Sequence, residues 1–196
     1  EDAIIWERSG MEIESYTIGA IAIDPQAPIR LYVGTYGEGV FKSVNGGKNW
    51  YLPSDRLRGM SIRSIAIHPQ STTTLYAGTN GDGIFKSINA GESWSAVNNG
   101  LTDLYINSIA IDPQRPNILY AGTSHGGVFK SNNGGGNWSA VGGILTSKLI
   151  GSLAIDPLTS TTIYAGVLGY GVYKSIDDGE TWNAVNAGLT DWVIFS

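Results

Sequence analysis

The chain repeats itself every 44 residues. Ile21-Ala-Ile-Asp-Pro25 returns as Ile65-Ala-Ile-His-Pro69, Ile109-Ala-Ile-Asp-Pro113 and Leu153-Ala-Ile-Asp-Pro157, with no insertion or deletion between copies. Tyr32, Tyr76, Tyr120 and Tyr164 follow, each two residues before a glycine. Then come Phe41-Lys-Ser43, Phe85-Lys-Ser87, Phe129-Lys-Ser131 and Tyr173-Lys-Ser175, and last Trp50, Trp94, Trp138 and Trp182. A repeat this regular means that one unit buries its apolar face only against its neighbours, so the fold is read from the unit.

Within a unit the pattern is β throughout. Ile62–Ile67, Thr74–Thr79, Gly83–Ser87 and Trp94–Val97 are short apolar or β-branched runs bounded by Pro-Gln, Gly-Asp-Gly, Asn-Ala-Gly and Asn-Asn-Gly. Such turn signals at a spacing of about 10 residues, without a sustained 3.6-residue period, predict four strands per unit. Four short strands in 44 residues is the signature of a propeller blade, whereas a β-solenoid coil of about 20–30 residues fits poorly. The expected class is therefore all-β, a β-propeller of four-stranded antiparallel blades with strands A to D from the inside outward. Blades are expected at 21–64, 65–108, 109–152 and 153–196. Residues 1–20 read as the outer strand and connector of a partial preceding blade, because Trp6 and Ile18 stand 44 positions before Trp50 and Ile62. The last residues then open the next inner strand. On this reading the chain works with further blades, from a second copy or from the rest of a longer chain, and is not a stable monomer alone.

Composition removes several functions. An apolar share of 42% suits a packed domain, and no apolar run approaches the roughly 18 residues that span a bilayer. A net charge of −5 argues against neutralising nucleic-acid phosphates. With no cysteine there is no disulfide, thiolate nucleophile or cysteine-held zinc. The 27 glycines are the outlying number, and the repeated turns account for them. Gly34-x-x-Gly37-x-Gly39 and its copies superficially resemble phosphate loops. A strand follows them instead of a helix, so they read as hairpin turns.

Between strands C and D every unit carries Ser-x-Asn/Asp-x-Gly-x-x-Trp: Ser43, Asn45, Gly47, Trp50; Ser87, Asn89, Gly91, Trp94; Ser131, Asn133, Gly135, Trp138; Ser175, Asp177, Gly179, Trp182. A short Asx or Ser side chain accepts backbone N–H groups within such a turn, glycine supplies positive φ, and tryptophan packs between sheets. The motif resembles the Asp box, or bacterial neuraminidase repeat. Ser175–Trp182 matches at every defined position, and the other three carry Asn for Asp. The resemblance implies a propeller of the kind found in sialidases, xyloglucan-active hydrolases, sortilin-type receptors and photosystem assembly factors, with an extracytoplasmic setting. It also implies a structural role for the boxes, away from any substrate face.

No catalytic set assembles from the residues. The six arginines occupy different offsets, so the three converging arginines of a sialidase are not available. Asp24, Asp112 and Asp156, with His68, end the A strands, where Asp-Pro reads as a turn cap. Glu38, Asp82, Asp103 and Asp191 are acids on loops, with nothing to single out a pair. His68 and His125 belong to opposite ends of their blades, so no metal site and no cofactor are expected.

The variable positions carry the functional expectation. The D-to-A connectors and B–C hairpins share one face of an up-and-down blade, and there the repeat breaks down. Tyr16, Met60, Leu104, Lys148 and Trp192 share one offset, and Tyr36, Asn80, Ser124 and Leu168 another. Tyr16, Tyr36, Glu38, Asp82, Tyr105, His125, Tyr170 and Trp192 are the candidate ligand-binding residues. Aromatic side chains over a uniform scaffold suit a glycan or a protein partner. The expected role is a non-enzymatic binding scaffold, with a xyloglucanase-like glycoside hydrolase or a fragment of one as the alternative.

Overall fold

The computed structural model describes residues 16–192. Trp6 and the last four residues, used above to extend the repeat, lie outside that range. Three strands open the described chain: β1 (Ile18–Ile23), β2 (Leu31–Thr35) and β3 (Val40–Ser43). The second sheet is β4 (Ile62–Ile67), β5 (Leu75–Thr79), β6 (Ile84–Ser87) and β7 (Ser95–Ala96). The third is β8 (Ile106–Ile111), β9 (Leu119–Thr123), β10 (Val128–Ser131) and β11 (Ser139–Ala140). The fourth is β12 (Ile150–Ile155), β13 (Ile163–Val167), β14 (Gly171–Ser175) and β15 (Asn183–Ala184). In each sheet neighbouring strands are consecutive in sequence and antiparallel. The inner strands β1, β4, β8 and β12 pack side by side in that order. The fold is a β-propeller, and each sheet is a blade.

The first blade departs from the expected four strands. Its outermost strand shrinks to a single bridge between Lys42 and Tyr51. Val97, Val141 and Val185 donate their N–H groups to Ile84, Val128 and Val172 in the other blades. Pro53 holds that offset in the first blade and has no N–H to give, so the ladder stops there.

The core lies between blades. Tyr32, Val40 and Leu57 of the first blade pack with Ile62, Leu75, Ala77, Phe85 and Trp94 of the second. Two further clusters repeat the arrangement at the next boundaries, ending on Trp138 and on Trp182. Close approach explains the glycine two residues after Tyr32, Tyr76 and Tyr120. A Cβ on Gly78 would lie 2.7 Å from Cγ2 of Ile106, and one on Gly122 would lie 2.6 Å from Cγ2 of Ile150. These glycines admit the isoleucine of the next inner strand.

Polar ties cross the same boundaries. Trp138 Nε1 donates to the Val97 carbonyl at 2.8 Å, and Trp182 Nε1 to the Val141 carbonyl at 3.1 Å. Lys86 Nζ donates to the Gly134 carbonyl at 2.9 Å. Arg115 bonds Asp112 within its own blade and reaches Asp178 of the next. Each blade is thus finished by its neighbour. The outer faces of the described arc show the converse: Ile21 and Ile23 on β1 are 62% and 59% exposed, against 8% for Ile109 on β8.

Candidate ligand-binding face

Hairpins and connectors alternate around one end of the blades and are joined by backbone hydrogen bonds. Tyr36 N–H donates to Thr17, and Gly37 N–H to Met60. Asn80 N–H donates to Ser61, Ser124 N–H to Tyr105, and Leu168 N–H to Leu149. Gly169 N–H closes the last hairpin onto the Trp192 carbonyl at 3.1 Å. The loops of this end are therefore stapled to one another.

Each hairpin is also braced from within. Thr35, Thr79 and Thr123 are buried, and their hydroxyls donate to the carbonyls of Gly39, Gly83 and Gly127. The same oxygens accept from Glu38, Asp82 and Gly126 N–H. Val167 replaces the threonine in the fourth blade, where Tyr170 N–H instead bonds the Val167 carbonyl at 3.0 Å.

Rigid backbone leaves the variable side chains to face outward. Tyr36, Tyr105, Tyr170 and Trp192 are between 44% and 52% exposed. Tyr105 meets His125 edge-on, with ring centroids 5.7 Å apart. Tyr16 stacks on Phe41 at the same separation, at the first-blade end of the belt. Lys148 Nζ sits 3.5 Å from the centre of the Tyr170 ring, so one face of that ring carries a cation. Glu38 lies 3.6 Å from Arg58, and Asp82 is exposed at its hairpin tip.

Asp103 has a role that its loop position alone does not reveal. It is nearly buried, and its carboxylate accepts the N–H groups of Tyr105, His125 and Gly126 at 3.0, 2.6 and 2.9 Å. Burial pushes its pKa up, but these N–H groups and the Thr123 hydroxyl outweigh that and hold it below the usual carboxylate range. It braces the third hairpin and is spent as a proton carrier. Its spacing to His125, 22 residues away and in the next blade, gave no local signal.

Asp24, Asp112 and Asp156, with His68, are on the opposite end. Asp24 and Asp112 have no exposed surface. Each accepts two turn N–H groups and pairs with an arginine, Arg30 at 2.7 Å and Arg115 at 2.8 Å. Asp156 accepts Leu158 and Thr159 N–H, and His68 Nδ1 accepts Gln70 and Ser71 N–H in the same geometry. These are turn caps. Among the described residues no group of three His, Cys, Asp or Glu side chains is placed to hold a metal ion.

The Ser-to-Trp turns share that opposite end, bonded to the A–B loops through Gly46 to Ile29, Ala90 to Thr73, Gly134 to Asn117 and Asp178 to Thr161. Ser43, Ser87, Ser131 and Ser175 each accept a glycine N–H at 2.9 Å, from Gly47, Gly91, Gly135 and Gly179. Asn45, Asn89, Asn133 and Asp177 each accept the N–H four residues on, again at 2.9 Å. The turn needs an acceptor and is indifferent to charge. Asp177 adds the Thr181 hydroxyl, which together with the turn N–H draws its pKa to about 2.

The chain matches no protein-family model, and no curated protein resembles it significantly. Solved structures do. An ancestral GH74 enzyme superposes with a TM-score of 0.66 at 26% identity, over 87% of this chain and 24% of that one. The GH74 enzyme of Niastella koreensis gives 0.68 at 22% identity, over 85% and 29%. YCF48 bound to D1 peptide gives 0.62 at 17% identity, over 91% and 55%. This chain spans about a quarter of the length of the two GH74 enzymes.

Proposed function

We propose that the chain is a non-enzymatic binding scaffold of the Asp-box type that takes a glycan on the face built from its hairpins and connectors. One observation carries this: half-exposed aromatic rings stand on a belt of loops already hydrogen-bonded to one another. Sugar rings stack on aromatic faces, and a pre-ordered surface loses little entropy when it binds. The Ser-to-Trp turns, with their shared acceptor geometry on the far end, support the Asp-box reading and a structural role for them. Replacing Tyr36, Tyr170 and Trp192 together by alanine should abolish capture of a glycan selected on an array. Unchanged capture would refute the assignment, and capture of a protein alone would replace the glycan with a protein ligand.

The likeness to the ancestral GH74 enzyme at 26% identity favours one second reading, that the chain is part of a glycoside hydrolase. Hydrolysis needs two carboxyl groups flanking the scissile bond. Asp24, Asp112 and Asp103 are committed to turn and hairpin N–H groups, Glu38 lies against Arg58, and exposed Asp82 makes no pair by itself, which supports binding instead. Release of reducing ends from β-glucans or xyloglucan by this chain would decide for the hydrolase.

A further inference from the structure

Every inner strand is interrupted at one offset. The pairing register shifts between Ile18 and Ala20, Ile62 and Ser64, Ile106 and Ser108, and Ile150 and Ser152. The residues set off by these bulges are Gly19, Arg63, Asn107 and Gly151, the most varied position of an otherwise repeated strand. A bulge re-aims its side chain out of the pleat. Here it delivers Arg63 and Asn107 to a cavity of about 400 Å³ between the inner strands, lined also by Ile18, Gly19, Ser64 and Ile65. Pockets of about 300–1,000 Å³ hold small ligands.

The arginine is positioned by a neutral partner. Arg63 Nη1 donates to Asn107 Oδ1 at 3.2 Å. The Asn107 amide is fixed from its other side, donating to the Ile150 carbonyl at 3.1 Å and to Ser124 Oγ at 3.2 Å. Arg30, Arg58 and Arg115 all pair with carboxylates, whereas Arg63 has no ion pair among the described residues. Glu38 answers Arg58, and Asp103 answers backbone N–H groups. The remaining guanidinium N–H groups form a planar fork matched to a carboxylate.

The surroundings favour a sugar over an extended peptide. A peptide added to the inner edge would need free backbone donors there. Ser64 Oγ already accepts from Ile109 N–H at 3.0 Å, and Ser108 Oγ from Leu153 N–H at 3.1 Å. The bulges break what edge is left. The ring of Tyr36 stands beside the cavity, its Cζ only 3.4 Å from where a Cβ on Gly19 would be.

We propose that this cavity is the subsite for an acidic sugar residue, a hexuronate whose carboxylate is held by Arg63 while its ring lies toward Tyr36. The assignment rests on the glycan-binding reading and names the ligand's charge. Calorimetry on the whole chain tests it with oligogalacturonate, oligomannuronate and glucuronoxylan fragments, each against its carboxyl-reduced counterpart. The wild type should bind a uronate at least about tenfold more tightly than the reduced sugar. Arg63→Gln should bring that ratio to about one, and Arg63→Lys should restore part of it. Matching thermal midpoints certify the fold of each variant. Equal binding of acidic and neutral sugars, or a preference that survives in Arg63→Gln, would overturn the subsite and spare the glycan reading. Binding of no sugar would overturn both. An Arg63-dependent preference for a peptide carboxylate over its amide, with no uronate bound, would assign the cavity to a peptide terminus instead.

Discussion

The phenol of Tyr76 donates to the carbonyl of Gly134 at 3.0 Å, from one blade into the Ser-to-Trp turn of the next. Tyr120 repeats the bond to Asp178 at 3.1 Å. Tyr32, at the same offset, is equally buried, and its hydroxyl has no hydrogen-bond partner among the described residues. Tyr76→Phe should therefore lower stability by about 0.5–1.5 kcal/mol, the worth of one buried hydrogen bond, since Lys86 Nζ still donates to the Gly134 carbonyl. Tyr32→Phe should be neutral or slightly stabilising, because it removes an unsatisfied polar group. Urea midpoints of the two variants provide the comparison, and equal losses would contradict the account.

Burial pushes the hydroxyls of Tyr32 and Tyr76 up to about 12. Their folded pKa values lie above the unfolded value of about 10, so their contribution is complete below pH 10 and fades as pH rises. Alkaline unfolding should begin above about pH 10, and ultraviolet titration should show these phenols, together with the still more strongly raised phenol of Tyr120, ionising after the exposed tyrosines.

The fit of Ile106 against Gly78 sets a second test. Gly78→Ala places a methyl group 2.7 Å from Cγ2 of Ile106 at the boundary between the second and third blades. Overpacking of this kind costs about 1–3 kcal/mol. Pairing it with Ile106→Ala, which removes the Cγ2 methyl that valine would keep, should give a combined loss smaller than the sum of the two in a double-mutant cycle. Independent, additive losses would show that the two residues do not share this contact.

Acid should weaken the boundary between the third and fourth blades. Asp178 is held below the ordinary carboxylate range, first by its hydrogen bond to Arg115, with Lys130 adding to it and burial opposing. A depressed folded pKa gives stability that is present above the unfolded value of about 3.9 and lost as pH falls through the folded one. Stability should therefore drop from about pH 4 downward. Asp178→Asn should be less stable at pH 7 and show a flatter acid limb in chemical denaturation.

The sequence carries much of this fold because each blade obeys the same local chemistry. Ser-x-Asn-x-Gly-x-x-Trp names both the turn acceptors and the tryptophan that ties to the preceding blade. Pro53 was equally visible, yet its effect depended on knowing that Val97 and its counterparts donate at that offset. Other features arise only across space. The bulges that present Arg63 and Asn107 depend on pairing, though variation at that one offset of a constant strand was the available clue. Asp103 reaches a hairpin of the next blade, and Lys148 comes to cover one side of Tyr170 from a neighbouring connector. Asn98 and Asn186 bracket their blades by accepting Ile84 and Val172 N–H at 2.7 Å. Ser54 and Gly142 hold that offset elsewhere and lead into 3-10 turns, Asp55–Leu57 and Gly143–Leu145, that plug the boundary with Leu57 and Leu145. No linear pattern separates those two solutions.

The most direct measurement is glycan affinity of the wild type beside that of the Tyr36, Tyr170 and Trp192 triple alanine variant, both shown to share one thermal midpoint. The wild type should hold a glycan and the variant none. A glycan held equally by both would contradict the proposed function.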